Sequence, residues 1–134
     1  MPITGECFCG SIKYAINGSL KDARSCHCSR CRKAFSAQAS SYALVEHDEF
    51  EWLQGADLLT RYQTQPGFGL QFCSRCGSTL RGTFNCLVHG ITLGCINGDP
   101  EVEIGYHLFV DSRAAWEVIP EGVTTYEEGA PENA

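Results

Sequence analysis

The chain of 134 residues has no apolar run approaching the ~20 residues that a helix needs to cross a bilayer. Its opening, Met1-Pro2-Ile3-Thr4-Gly5-Glu6, has neither a basic segment nor an apolar one of the kind that directs export, so it reads as a cytoplasmic protein with no membrane partner. No stretch keeps a helical apolar period over three turns, which limits helix to one or two short segments. Internal repeats, low-complexity blocks and linker-like stretches are missing too, so residues 1–134 are expected to form one domain around one core. Positive charge is scarce, with 10 Lys and Arg against 16 Asp and Glu and a net charge of −6. That balance argues against nucleic-acid binding through a generic basic surface. The remaining composition, 43% hydrophobic and 19% charged, excludes wholesale disorder.

What the chain does have is cysteine. Nine cysteines in an unexported protein do not read as a disulfide framework, because reducing compartments keep thiols free for metal binding or catalysis. Their spacing is informative. Cys7/Cys9 and Cys73/Cys76 are two close pairs, each followed by a glycine, Gly10 and Gly77, where a turn around a metal often needs a backbone free of Cβ clashes. Two such turns can supply the four sulfurs that a structural zinc takes at about 2.3 Å. Cys26, Cys28 and Cys31 then remain as a group of three, in a segment, Arg24 to Lys33, with four basic side chains and no acidic one. Three protein ligands with a vacant fourth position is the pattern of a catalytic zinc. All-thiolate ligation favours zinc or iron–sulfur over magnesium, calcium or manganese, and the spacing matches no common cluster pattern.

Other divisions of these residues are open at this level. Cys28/Cys31 could pair with Cys73/Cys76 in a zinc ribbon, or Cys73-Ser74-Arg75-Cys76 could be a redox dithiol, although the expected βαβ context is absent. A fourth ligand could close the second site: His47, His89, His107, Cys86 or Cys95. His27 is a poor candidate, since both its neighbours already ligate. Cys86 and Cys95 lie in strand-like apolar segments and read as small buried hydrophobes.

Charge is unevenly spread. From Asp99 to Ala134 there are nine acidic residues and one basic residue, Arg113, which reads as a solvated acidic tail. Arg24, Arg30, Arg32, Lys33, Arg75 and Arg81 fall near cysteines in sequence, where cations favour thiolates and would attract an anionic substrate. The class is mainly β. Strands are expected at Ile12–Ile16, Phe50–Leu53, Leu59–Tyr62, Gly69–Cys73, Thr79–Phe84, Leu87–Leu93 and Val102–Val110, with turns at Asn17-Gly18, Pro66-Gly67, Asn97-Gly98 and Glu121-Gly122. One short helix is expected from Ser29 to about Phe35, with Ser29 as its N-cap.

Gly5-Glu6-Cys7-Phe8-Cys9-Gly10, Cys26-His27-Cys28-Ser29-Arg30-Cys31-Arg32-Lys33 and Phe72-Cys73-Ser74-Arg75-Cys76-Gly77, in this order, resemble the glutathione-dependent formaldehyde-activating enzyme family, which includes centromere protein V. The resemblance continues through Ile91-Thr92-Leu93-Gly94, Gly98-Asp99-Pro100 and His107-Leu108-Phe109-Val110-Asp111-Ser112 to Trp116. It implies a β-tent of sheets joined at a structural zinc on Cys7, Cys9, Cys73 and Cys76, and a second, catalytic zinc on Cys26, Cys28 and Cys31. The implied reaction is that of a carbon–sulfur lyase in reverse: addition of glutathione to formaldehyde, giving S-hydroxymethylglutathione.

A zinc on three thiolates carries a net charge of about −1 and polarises a carbonyl weakly, so activating an incoming thiol is its better use. The expected partners are accordingly a small thiol, glutathione or similar, and formaldehyde or another small aldehyde, with Arg30, Arg32 and Lys33 available to a substrate carboxylate. The alternative is a non-catalytic, zinc-stabilised protein-binding module.

Overall fold

A computed structural model describes residues 2–63, 68–84 and 87–130. Ten strands are formed: β1 (Ile3–Glu6), β2 (Lys13–Ile16), β3 (Lys21–Cys26), β4 (Ser40–Leu44), β5 (Phe50–Gln54), β6 (Leu59–Gln63), β7 (Phe68–Cys73), β8 (Thr79–Phe84), β9 (Leu87–Thr92) and β10 (Tyr106–Leu108). One α-helix, α1 (Ser29–Phe35), lies between β3 and β4, and short 3-10 turns connect several strands. The chain is thus mainly β, as its periodicity indicates. Among the described residues no helix is long and apolar enough to cross a membrane. The expected turn at Pro66-Gly67 and Cys86 lie outside the described residues, as does the side chain of His89.

Two compact units emerge. The first comprises the residues up to Lys21 with Ala43–Val102. In it β2 is the centre of a three-stranded sheet ordered β1-β2-β5, antiparallel throughout. Tyr14 and Ile16 are fully buried, as the alternation of Lys13-Tyr14-Ala15-Ile16 requires. Ala15 is covered too, its methyl flanked across the sheet by Thr4 and Glu51. From β5, Phe50 stacks on Tyr14 at 5.0 Å between ring centroids, and Trp52 meets the same ring edge-on at 6.2 Å. Strands β6, β7, β8 and β9 follow one another as antiparallel neighbours. The core joins Ile12, Tyr14, Ile16, Val45, Leu80 and Ile91 to Cys7 and Cys73. Two of the cysteines therefore grow out of the best-packed part of the unit.

One cation sits inside this unit. Arg81 is buried, its guanidinium 4.5 Å from the Phe50 ring centroid and 4.7 Å from that of Trp52, with Nε donating to Gln71 Oε1. Burial lowers its pKa to about 10, with Arg61 adding to the effect. Its company is aromatic, which removes it from the basic group expected around the cysteines.

The second unit is Asp22–Tyr42 with the residues from Glu103 onward. Its strands lie in the order β10-β3-β4, with β10 parallel to β3. The strand expected over Val102–Val110 is reduced to Tyr106–Leu108. Only these residues pair with β3, and Phe109 at φ 56° turns left-handed and ends the run. Beyond it the chain returns beside β10: Thr124 accepts from the His107 amide, and the Tyr126 amide donates to the His107 carbonyl.

Candidate metal centres

In the first unit, two tight turns bring four thiols together. The Gly10 amide donates to the Cys7 carbonyl at 3.0 Å and the Gly77 amide to the Cys73 carbonyl at 2.8 Å. Both glycines are left-handed, at φ 77° and 82°, which meets the expectation that the residue after each pair must do without a Cβ clash. Backbone amides point at the sulfurs: Ile12 N donates to Cys7 Sγ at 3.3 Å and Arg75 N to Cys73 Sγ at 3.4 Å. The sulfurs of Cys7, Cys9, Cys73 and Cys76 all lie within 4.8 Å of one another. Cys7 and Cys9 are 3.6 Å apart, and Cys9 and Cys73 are 3.8 Å apart. A regular tetrahedron with metal–sulfur bonds of about 2.3 Å has edges of about 3.8 Å. The donor set and its spacing therefore fit a tetrahedral thiophilic metal.

Of the divisions left open by spacing, the one that groups Cys73 and Cys76 with Cys7 and Cys9 matches the placement of these sulfurs. Cys95, half-buried nearby, turns its thiol toward the Thr79 carbonyl at 3.7 Å instead.

In the second unit, the sulfurs of Cys26, Cys28 and Cys31 lie within 4.8 Å of one another. Cys26 ends β3, and the other two belong to the start of α1. The residue that caps this helix is Cys28 and not Ser29: its sulfur accepts from the Cys31 amide at 3.3 Å, the place a serine hydroxyl usually takes. The cap thus also sets the spacing of two thiols. Among the described residues no fourth His, Cys, Asp or Glu joins the three.

Cys26 and Cys31 shift in opposite directions. Cys31 is drawn down to about 6, chiefly by its hydrogen bond with Cys26, with burial opposing and Ser40, Cys28 and Arg30 assisting. Cys26 is pushed far up by the same hydrogen bond and by burial. Of this hydrogen-bonded pair, Cys31 gives up its proton more readily and Cys26 keeps its own, as expected of like charges crowded together. Behind them Arg24 lies over the rings of Tyr42 and Tyr106, at 5.6 and 5.2 Å. Burial pushes the Tyr42 phenol up to about 12, against Arg24, with Cys26 and Cys31 adding to the rise. Arg32 reaches the Ser112 carbonyl at 3.2 Å, and its Nε is buried with no partner. Arg30 and Lys33 are exposed on the helix.

His27 stands between two of the three cysteines without belonging to them. Its Nδ1 lies 2.5 Å from Glu117 Oε1 and its Nε2 lies 2.9 Å from His107 Nδ1. This part-buried chain of three was not visible in the sequence, where the only hint is the position of His27 between two metal-ligand candidates.

The family model described as glutathione-dependent formaldehyde-activating enzyme matches residues 2–112. A crystal structure of a Rhodobacter sphaeroides protein, a structural-genomics target, is similar at 27% identity and a TM-score of 0.60, over 71% of this chain and 88% of that one. Among curated proteins none matches the chain.

Proposed function

The chain belongs to the glutathione-dependent formaldehyde-activating enzyme family, and from that premise we propose that it is a zinc-dependent enzyme of the carbon–sulfur lyase type, adding a small thiol to a small aldehyde. The thiol is glutathione or a similar molecule and the aldehyde is formaldehyde or one of its close analogues. The observation that carries this reading is the trio Cys26, Cys28 and Cys31, which lies together with no fourth protein ligand among the described residues. In this reading Cys7, Cys9, Cys73 and Cys76 hold a structural zinc and the trio holds the catalytic one, two per chain. When bound at the trio, zinc supplies a coordination position that favours the thiolate form of an incoming thiol.

The chain's own residues do the rest. Arg30 and Lys33, exposed beside Cys31 on α1, hold the anionic part of the thiol, and the aldehyde is held next to the sulfur, so that two reactants meet without the entropy cost of an encounter in solution. A carbon–sulfur bond forms, the carbonyl π bond breaks, and the thiol's proton ends on the new hydroxyl oxygen. No oxidant or reductant is needed.

The test is exchange NMR of zinc-loaded protein with glutathione and formaldehyde, compared with Cys28→Ser and with no protein. Faster adduct exchange with the unaltered chain alone supports the proposal. Equal rates in all three samples would sink it and leave the non-catalytic binding module.

A further inference from the structure

The two turns of the four-sulfur cluster end alike, in Cys9-Gly10-Ser11 and Cys76-Gly77-Ser78. Each turn closes on its own backbone, the Cys7 amide donating to the Ile12 carbonyl at 3.1 Å and the Cys73 amide to the Ser78 carbonyl at 3.0 Å. Turning left-handed at Gly10 and Gly77, the chain brings each serine back beside the second sulfur of its own pair. Ser11 Oγ lies 3.3 Å from Cys9 Sγ, and Ser78 Oγ lies 3.4 Å from Cys76 Sγ. Each hydroxyl also meets a donor from the opposite turn. The Phe8 amide donates to Ser78 Oγ at 2.8 Å, across 70 residues of sequence, and Arg75 Nη1 donates to Ser11 Oγ at 3.4 Å, across 64. The contacts are reciprocal: each serine touches a sulfur of the turn it belongs to and a nitrogen of the turn it does not.

Exposure explains why hydroxyls stand at these places. The inner sulfurs, those of Cys7 and Cys73, are buried and are reached by backbone amides, Ile12 N and Arg75 N. Cys9 is exposed and Cys76 is half-buried, and these outer sulfurs have the serines. Every sulfur of the cluster thus has one protein donor beside it. A sulfur that ligates a metal carries no proton, so at Cys9 and Cys76 the hydroxyl is the donor, and its oxygen can at the same time accept from the opposite turn. Partners of this kind fix the orientation of metal ligands and raise the affinity of a site. Competing ligands reach a cluster at its exposed sulfurs first, so a bond made there governs how readily metal leaves.

We propose that Ser11 and Ser78 are positioning residues that latch the two turns together and control the release of a thiophilic metal from the four-sulfur cluster. This rests on the reading that Cys7, Cys9, Cys73 and Cys76 hold metal, and goes beyond it in assigning retention to two hydroxyls. Ser78 is the stronger latch, because its link across the turns is an amide at 2.8 Å, whereas that of Ser11 is a longer contact from an exposed arginine.

Two measurements on the full chain test this: release of zinc to a chromogenic chelator, and NMR of the cadmium-loaded chain, in which metal on four sulfurs and metal on three give separate lines. Ser78→Ala should release the zinc fraction that Cys73→Ser lacks roughly tenfold faster or more, and Ser11→Ala should speed it less. Both should shift the four-sulfur cadmium line and leave the signal of the three-cysteine centre in place. Ser78→Thr keeps the hydroxyl and should restore both readouts. Ser74→Ala, at an exposed position in the same turn, should change neither. A chain with no four-sulfur cadmium line overturns the metal reading and the proposal together. Where that line is present, the proposal alone is overturned if release and line position ignore Ser78→Ala, if Ser74→Ala has an equal effect, or if Ser78→Thr behaves as Ser78→Ala does.

Discussion

Cys73→Ser tests whether the four-sulfur cluster holds the first unit together. Cys73 is fully buried and belongs at once to the cluster and to the apolar core. Serine fills nearly the same volume, so packing alone predicts a small effect. Metal ligation predicts a large one. Structural zinc on cysteine contributes about 10–16 kcal/mol of apparent binding free energy, which over four sulfurs is roughly 2.5–4 kcal/mol each. Against a total domain stability of about 5–15 kcal/mol, that loss is a substantial part of the whole. One kcal/mol moves the melting temperature of a chain of this size by roughly 3–5 °C, so Cys73→Ser should melt on the order of 10–20 °C lower.

Cys95→Ser is the control. Its thiol is half-buried in the same unit and faces the Thr79 carbonyl, a partner that a hydroxyl can keep, so its cost is about 1 kcal/mol. Thermal melts of the unaltered chain and both variants, with and without a metal chelator, separate the two effects. Chelator should bring the unaltered chain down toward Cys73→Ser and leave Cys73→Ser where it is. If the two serine variants melt together, or if chelator does not move the unaltered chain, the four sulfurs are not held by metal and the reasoning fails.

Two further outcomes follow from single side chains. The Tyr14 hydroxyl is buried with no hydrogen-bond partner, and burial, with Cys95 adding, raises its pKa above the ordinary value, so Tyr14→Phe should leave stability unchanged or raise it by about 1–3 kcal/mol; a lower urea midpoint for the variant would show that the hydroxyl has a partner after all. Burial lowers the His107 pKa below 6.5, with His27 acting in the same direction and Glu117 against it. A histidine whose folded pKa is depressed binds its proton more readily when unfolded, so its contribution to stability is present above about pH 6.5 and is lost as pH falls toward the folded value. NMR titration of the His107 imidazole should give a midpoint below 6.5, and a midpoint above it contradicts the assignment.

The grouping of the cysteines was legible because the turns that bring sulfurs together are written into local spacing. A two-sulfur turn needs its cysteines one or two residues apart and a permissive backbone behind them, and Gly10 and Gly77 met that requirement at positive φ. Strands β2, β5, β7 and β8 were legible for the corresponding reason, their alternation being set by which face is covered. β1, β3 and β4 escaped notice. β3 reads Lys-Asp-Ala-Arg-Ser-Cys, with little of the β-branched or aromatic content that marks a strand, and is fixed by its neighbours instead. Arg81 was misplaced because nearness in sequence to Cys76 says nothing about which side of β8 its side chain leaves.

The Glu117–His27–His107 chain could not be read at all, and the reason is topological. Glu117 is 90 residues from His27 and His107 is 80 residues away. What unites them is β10 running parallel to β3 and the chain turning back after Phe109, and a three-residue parallel strand leaves almost no periodic trace. Spacing nevertheless constrains the outcome. Once Cys26 is committed to one side of β3, alternation sends His27 to the other, away from the centre that its neighbours form. The same tripeptide therefore presents its two thiols to one group of side chains and its imidazole, paired with Glu117 and His107, to another.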